Sequence, residues 1–88
     1  MLRAERERLQ TSLAAMPGVR PYPSEANMIL VRVPDASRAF AGMKAHGVLV
    51  KNIGAAMPHP LLANCLRLTV GTPDENTRMI DALKASLQ

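Results

Sequence analysis

CLRLTVGTPDEN, residues 65–76, runs from an apolar alternating segment straight into a helix start, and its reading decides the fold. Side chains alternate across a strand with period two, so Leu66, Leu68 and Val70 face one side while Cys65, Arg67 and Thr69 face the other. Thr72, Pro73 and Glu75 then supply an N-cap hydroxyl, a proline at the first helical position and a glutamate at the third, which together predict a capping box. Asp74 adds negative charge where the helix dipole favours it. The helix is expected over 73–87, with Met79, Ile80, Leu83 and Leu87 as its apolar stripe. Arg67 is the anomaly: a charge in the middle of a strand that otherwise reads as buried.

Upstream, NMILVRV (27–33) is short and rich in branched aliphatics, which predicts a strand ended by Pro34. Asp35 caps a helix expected over 36–46, with Ala36, Phe40 and Met43 on one face and Gly47 closing it. VLVKNI (48–53) reads as a second strand, and GAAMPHPLLAN (54–64) as an irregular loop. At the amino end, residues 2–16 carry helix formers with Leu2, Leu9, Leu13 and Met16 near one stripe, stopped by Pro17-Gly18. VRPYPSEA (19–26) holds two prolines and favours an extended connector. The order α-β-α-β-β-α predicts a single α+β domain over 1–88. Its small, mainly antiparallel sheet has three strands in the order 1-3-2, with the helices packed on one face. Residues 65–70 form the central strand of that sheet.

Composition narrows the function. Hydrophobic residues make up 48% of 88 positions but aromatics only 2%, so the core is aliphatic and methionine-rich. The net charge of +4 suggests nucleic acid first, yet the basic residues are scattered. Arg3, Arg6 and Arg8 interleave with Glu5 and Glu7 as a solvated helix face, and no aromatic platform accompanies them; no nucleic-acid partner is expected. No apolar run approaches a membrane span, and the amino terminus lacks a signal-peptide core, so no membrane partner is expected. The single Cys65 excludes an internal disulfide and fits a cytoplasmic setting.

Each candidate group has a bland reading beside the functional one. Arg67 is either an arginine on a solvated sheet face or a rigidly mounted fork that grips a carboxylate or phosphate with two parallel bonds. Lys51 is either an edge lysine or a second positive charge beside Arg67. Asn27 reads most simply as a turn or cap residue at a strand entrance. His59 has no nucleophile at a recognisable spacing, and one cysteine with two histidines makes no metal-ligand set. GAAMPHP is not a phosphate-binding glycine loop. No catalytic residue is assigned.

NCLRLTVGTPDEN with its apolar helix, PSEANMILVRV and GVLVKN together resemble the carboxy-terminal small domain of histidinol-phosphate aminotransferases, pyridoxal-phosphate enzymes of the class I/II group. The resemblance spans nearly the whole chain in the right order. It implies that Arg67 binds the anionic end of a substrate. It places Lys51 where the family usually has an arginine that helps hold the substrate phosphate, and Ser24 and Asn27 in a segment lining the domain interface. It implies a parent enzyme that exchanges an amino group between histidinol phosphate and 2-oxoglutarate in histidine biosynthesis. The Schiff-base lysine, in its Ser-Lys context, belongs to a large domain whose residues are not in this chain, so this chain alone is expected to bind no cofactor and to be inactive. The expected partners are that large domain and an anionic small molecule. The uncovered face bearing Cys65, Arg67 and Thr69 is expected to drive self-association of the isolated domain. Another class I/II aminotransferase small domain, or a free-standing α+β interaction module, stays open as an alternative.

Overall fold

The computed structural model describes residues 2–22, 27–57 and 59–87. Helix α1 is Leu2–Ala14, followed by strands β1 (Arg20–Pro21) and β2 (Met28–Arg32), helix α2 (Ala36–Ala45) and strand β3 (Lys51–Asn52). A one-turn helix α3 (Ile53–Ala56) and a 3-10 turn (Pro60–Leu62) lead to strand β4 (Cys65–Thr69) and helix α4 (Pro73–Leu87). The strands form one antiparallel sheet in the order β1-β2-β4-β3, with β4 in the interior.

The α+β class and the antiparallel pairing agree with the sequence reading, but the strand count and order do not. The sheet has four strands in place of three, because Arg20 and Pro21 leave the expected connector to pair with Arg32 and Val31. Proline lacks the ladder N–H and is tolerated at an edge, which is where β1 lies. The second expected strand, 48–53, shrinks to Lys51–Asn52: at its start the Val48 N–H donates to the Met43 carbonyl at 2.9 Å, and at its end the Asn52 side chain accepts from the Ala55 backbone N–H at 3.2 Å and turns the chain into α3. The helices are not confined to one face either. Helices α1, α2 and α4 cover the core face, while α3 and the 3-10 turn lie over the other.

The core is built by the predicted alternation. Ile29, Val31, Val33, Leu66 and Leu68 meet Leu9, Leu13, Met43, Met79, Ile80 and Leu83 in one buried cluster. Phe40 and Leu87 pack on it from partly buried positions. Helices α2 and α4 approach closely at Gly42, where a Cβ would lie 2.6 Å from the Ser86 Cβ. Gly42 costs helix propensity of about 1 kcal/mol relative to alanine, and the close packing offsets it.

The capping box forms as expected: the Thr72 N–H donates to Glu75 Oε1 at 2.8 Å, and the Glu75 N–H donates to Thr72 Oγ1 at 3.2 Å. Asp35 caps α2 by accepting from the Arg38 N–H at 3.1 Å. Gly47, with φ of 78°, follows the His46 cap that ends α2, and Gly18, with φ of 76°, lies in the turn after α1; both take a region that disfavours other residues.

A buried polar clamp that the sequence reading missed ties α1 to the β4–α4 turn. Asn76 is only 1% exposed. Its Oδ1 accepts from the Gly71 N–H at 2.8 Å, and its Nδ2 donates to the Gly71 carbonyl at 3.1 Å and to Glu5 Oε1 at 3.0 Å. Arg8 Nη2 donates to the same Glu5 oxygen at 2.8 Å and to the Pro73 carbonyl at 3.1 Å. The Arg8 side chain, and after it Asn76, hold the Glu5 carboxyl below its ordinary pKa. The Thr72 backbone N–H, and after it the Thr72 hydroxyl, do the same for Glu75.

Both carboxyls therefore favour the folded state above the ordinary glutamate pKa of about 4.3, and that contribution is lost as pH falls through their lower folded values. Glu5→Gln and Glu75→Gln are each expected to be less stable than the parent at pH 7, with the deficit shrinking as pH falls below about 4. Urea denaturation across that range reads the deficit directly. A deficit that stays constant with pH would show that neither carboxylate charge matters.

Candidate functional site

The sheet's second face carries the site. Directly paired residues on neighbouring strands share a face. Leu30, Arg67 and Lys51 are paired across β2, β4 and β3 and so form one row on the side away from the core. The next row toward the start of β4 is Arg20, Arg32 and Cys65, and the row on the other side holds Met28 and Thr69. Leu66 and Leu68, on the other parity, are fully buried, whereas Arg67 is half-buried. The orientation expected for Arg67 is the one observed.

Arg67 and Lys51 line a cavity of about 510 Å³ together with Met28, Leu30, Ile53, Met57 and Leu62. Its walls are apolar, and none of the seven residues is acidic. Among the described residues neither Arg67 nor Lys51 has an ion-pair partner, while Glu5 and Glu7 pair with Arg8 and Arg3. A guanidinium fixed by a central strand, beside an ammonium and apolar walls, suits an anionic group carried on a small organic molecule.

The other expected residues fare differently. Asn27 is exposed beside the end of β4, where its carbonyl accepts from the Val70 N–H at 2.7 Å, and it does not line the cavity. Ser24 lies outside the described residues. Cys65 was expected on an uncovered face; instead it is fully buried, with its Sγ 3.7 Å from the Ala63 carbonyl and 3.9 Å from that of Leu61. The chain doubles back over it through the 3-10 turn, so only the part of the face around Met28, Arg67 and Thr69 is left open. His59 caps that turn, its Nδ1 accepting from the Leu61 N–H at 3.1 Å.

The cavity's far wall, formed by Ile53, Met57 and Leu62, was not legible as such. Gly54 and Asn64 support it. A Cβ on Gly54 would lie 2.7 Å from the Leu62 carbonyl, so glycine lets α3 sit against the 3-10 turn. Asn64 takes a left-handed φ of 59°, and its Oδ1 accepts from the Ala36 N–H at 3.1 Å. Asparagine tolerates that conformation better than most side chains do.

Among the described residues no cluster of three or more His, Cys, Asp or Glu side chains is placed to hold a metal ion. No helix among them is long and apolar enough to cross a membrane. Lys44, Lys51 and Lys84 are all exposed, and among the described residues no carboxylate or tyrosine lines the cavity beside Lys51. That donor set does not fit a pyridoxal-phosphate site.

Residues 1–83 match the family model for aminotransferase class I and II. The chain is 67% identical over 87 residues to a histidinol-phosphate aminotransferase of Methylibium petroleiphilum, covering 99% of this chain and 23% of that protein. It is 64% identical to the enzyme of the same name from Paracidovorax citrulli, again with 23% of the relative covered. It thus spans about 23% of the length of these relatives. Among solved structures, a decarboxylase from Sulfurospirillum multivorans superposes with a TM-score of 0.83 at 26% identity, over 97% of this chain and 25% of its own. The histidinol-phosphate aminotransferase of Clostridium acetobutylicum superposes with a TM-score of 0.82 over 96% of this chain and 25% of its own, a likeness of fold alone at 17% identity. By the family match across its length, this chain belongs to the class I and II aminotransferases.

Proposed function

We propose that this chain is the small, substrate-facing domain, carboxy-terminal in its parent, of a pyridoxal-phosphate-dependent histidinol-phosphate aminotransferase. The parent transfers an amino group between histidinol phosphate and 2-oxoglutarate in the cytoplasm, in histidine biosynthesis. A larger domain holds the cofactor and its lysine. The share of this chain is electrostatic: Arg67 grips an anionic end of the substrate and Lys51 adds a second positive charge. Asn27, outside the cavity, serves at its rim and at the interface with the large domain. The observation that carries this reading is Arg67 on an interior strand, half-buried and, among the described residues, without a carboxylate partner, in an apolar cavity beside Lys51. The identity to relatives named histidinol-phosphate aminotransferase supports the choice of substrate.

A second reading, a small domain serving another substrate in the same family, has one observation in its favour. Lys51 stands where the resemblance expects an arginine, and an ammonium holds a phosphate as a point charge without the fork. An assay of the complete parent separates the two: 2-oxoglutarate-dependent conversion of histidinol phosphate is expected, and turnover only with a different amino donor would overturn the lead reading. Mixed with pyridoxal phosphate and both substrates, the 88-residue chain is expected to give no turnover.

The open part of the sheet face exposes Met28 at 41% and Met57 at 54%, beside Leu61 at 73%. Released from the large domain, such a surface tends to find a partner. The isolated chain is expected to sediment as a dimer or larger species at high concentration, and a clean monomer would contradict that use of the face.

A further inference from the structure

The wall of the Arg67 cavity opposite the sheet is held by a residue with no role so far. Arg32 sits on the cavity side of β2, paired with Cys65 in the row beside that of Arg67. Its Nη2 donates to the Leu61 carbonyl at 2.7 Å, across 29 residues of sequence. The N–H of that same peptide, on Leu62, donates to the His59 carbonyl at 2.9 Å, and the Leu61 N–H donates to His59 Nδ1 at 3.1 Å. Leu61 itself is 73% exposed, so apolar burial of its side chain does not fix the turn. The next residue, Leu62, lines the cavity and supports α3 through its carbonyl near Gly54. The Arg32 Nε–H is buried and has no acceptor among the described residues. A residue selected for stability alone has little reason to bury a donor without a partner. That cost is understandable where the guanidinium must occupy one position.

We propose that Arg32 is a positioning residue: by pinning the Leu61 carbonyl it seats the 3-10 turn over β4 and sets the Leu62 wall against which Arg67 meets its anion. The assignment rests on the Arg67 reading. The link runs from the Arg32 guanidinium to the Leu61 peptide, then to Leu62 and α3, and so to the cavity bordered by Arg67. Arg32 touches no substrate in this scheme. It acts through the shape of the wall.

The test uses the complete parent enzyme and two readouts. In Arg32→Met, hydrogen–deuterium exchange of peptides covering residues 59–63 is expected to quicken about tenfold, with Arg32→Lys largely restoring protection because its ammonium still donates to the carbonyl. In the same variant kcat/KM for histidinol phosphate is expected to fall about tenfold, mostly through KM. In an Arg67→Lys background the added loss should shrink to within about threefold, since both changes act on one anion site. A purely structural arginine would lower thermal stability without that coupling. Should Arg32→Met fail to fold, Arg32→Gln, which is too short to reach Leu61, carries the same expectations. Faster exchange without the kinetic loss, kinetic loss without faster exchange, or fully multiplicative losses would each overturn the role of Arg32 alone. An Arg67→Lys enzyme with unaltered efficiency would overturn the Arg67 reading, and this assignment with it.

Discussion

Arg67→Lys in the complete parent enzyme is expected to lower kcat/KM by about tenfold or more, equivalent to at least ~1.4 kcal/mol of lost transition-state binding. Lysine keeps the charge and loses the fork. Arg67→Ala removes both, and a fall of about a hundredfold is expected, in the range for truncating one partner of a desolvated charge pair. Lys51→Ala should do less, because its exposed ammonium offers one flexible contact. None of these changes should disturb folding, since Arg67 and Lys51 face away from the buried cluster of Ile29, Val31, Leu66 and Leu68. Steady-state kinetics on both the amino donor and the oxo acid, with a thermal melt as control, decide it. Unchanged efficiency in Arg67→Ala would leave a solvated arginine.

Asn76→Ala is expected to destabilise the fold by about 2–3 kcal/mol, the largest effect foreseen for a polar residue here. One buried amide satisfies both backbone groups of Gly71 and donates to Glu5. Its loss frees the turn that starts α4 and releases α1 from it together. Asn76→Asp should fail similarly, because a carboxylate cannot donate to the Gly71 carbonyl and would face the Glu5 carboxylate at close range. Thr72→Ala, which removes only one capping acceptor, should cost less, about 0.5–2 kcal/mol. Chemical denaturation midpoints order the three. An Asn76→Ala protein no weaker than Thr72→Ala would contradict the clamp.

What the sequence made legible was whatever depends on near neighbours. The Thr72–Glu75 box, the Asp35 cap, the stops at Gly18 and Gly47 and the alternation along CLRLTV all rest on groups a few residues apart. The orientation of Arg67 followed from that alternation. The parts that escaped depend on long-range meetings. Strand β1 exists because Arg20 and Pro21 find β2, although their local composition favours a connector. Asn76 looked like one more polar residue on a helix, since its partner Glu5 lies 71 positions away. Cys65 was placed on the correct side of the strand, but the fold-back of residues 59–63 that buries it has no periodic signal. Arg32, one of several scattered basic residues, gained its place only once Leu61 was seen to lie over it.

The central claim is that Arg67 receives a substrate anion. A crystal structure of the complete parent enzyme with histidinol phosphate bound tests it most directly. Two Arg67 N–H groups are expected within about 2.7–3.2 Å of oxygens of one anionic group, the phosphate or, in a complex with the oxo acid, a carboxylate. An Arg67 side chain paired with a protein carboxylate, or turned to solvent while the substrate is held elsewhere, would contradict it.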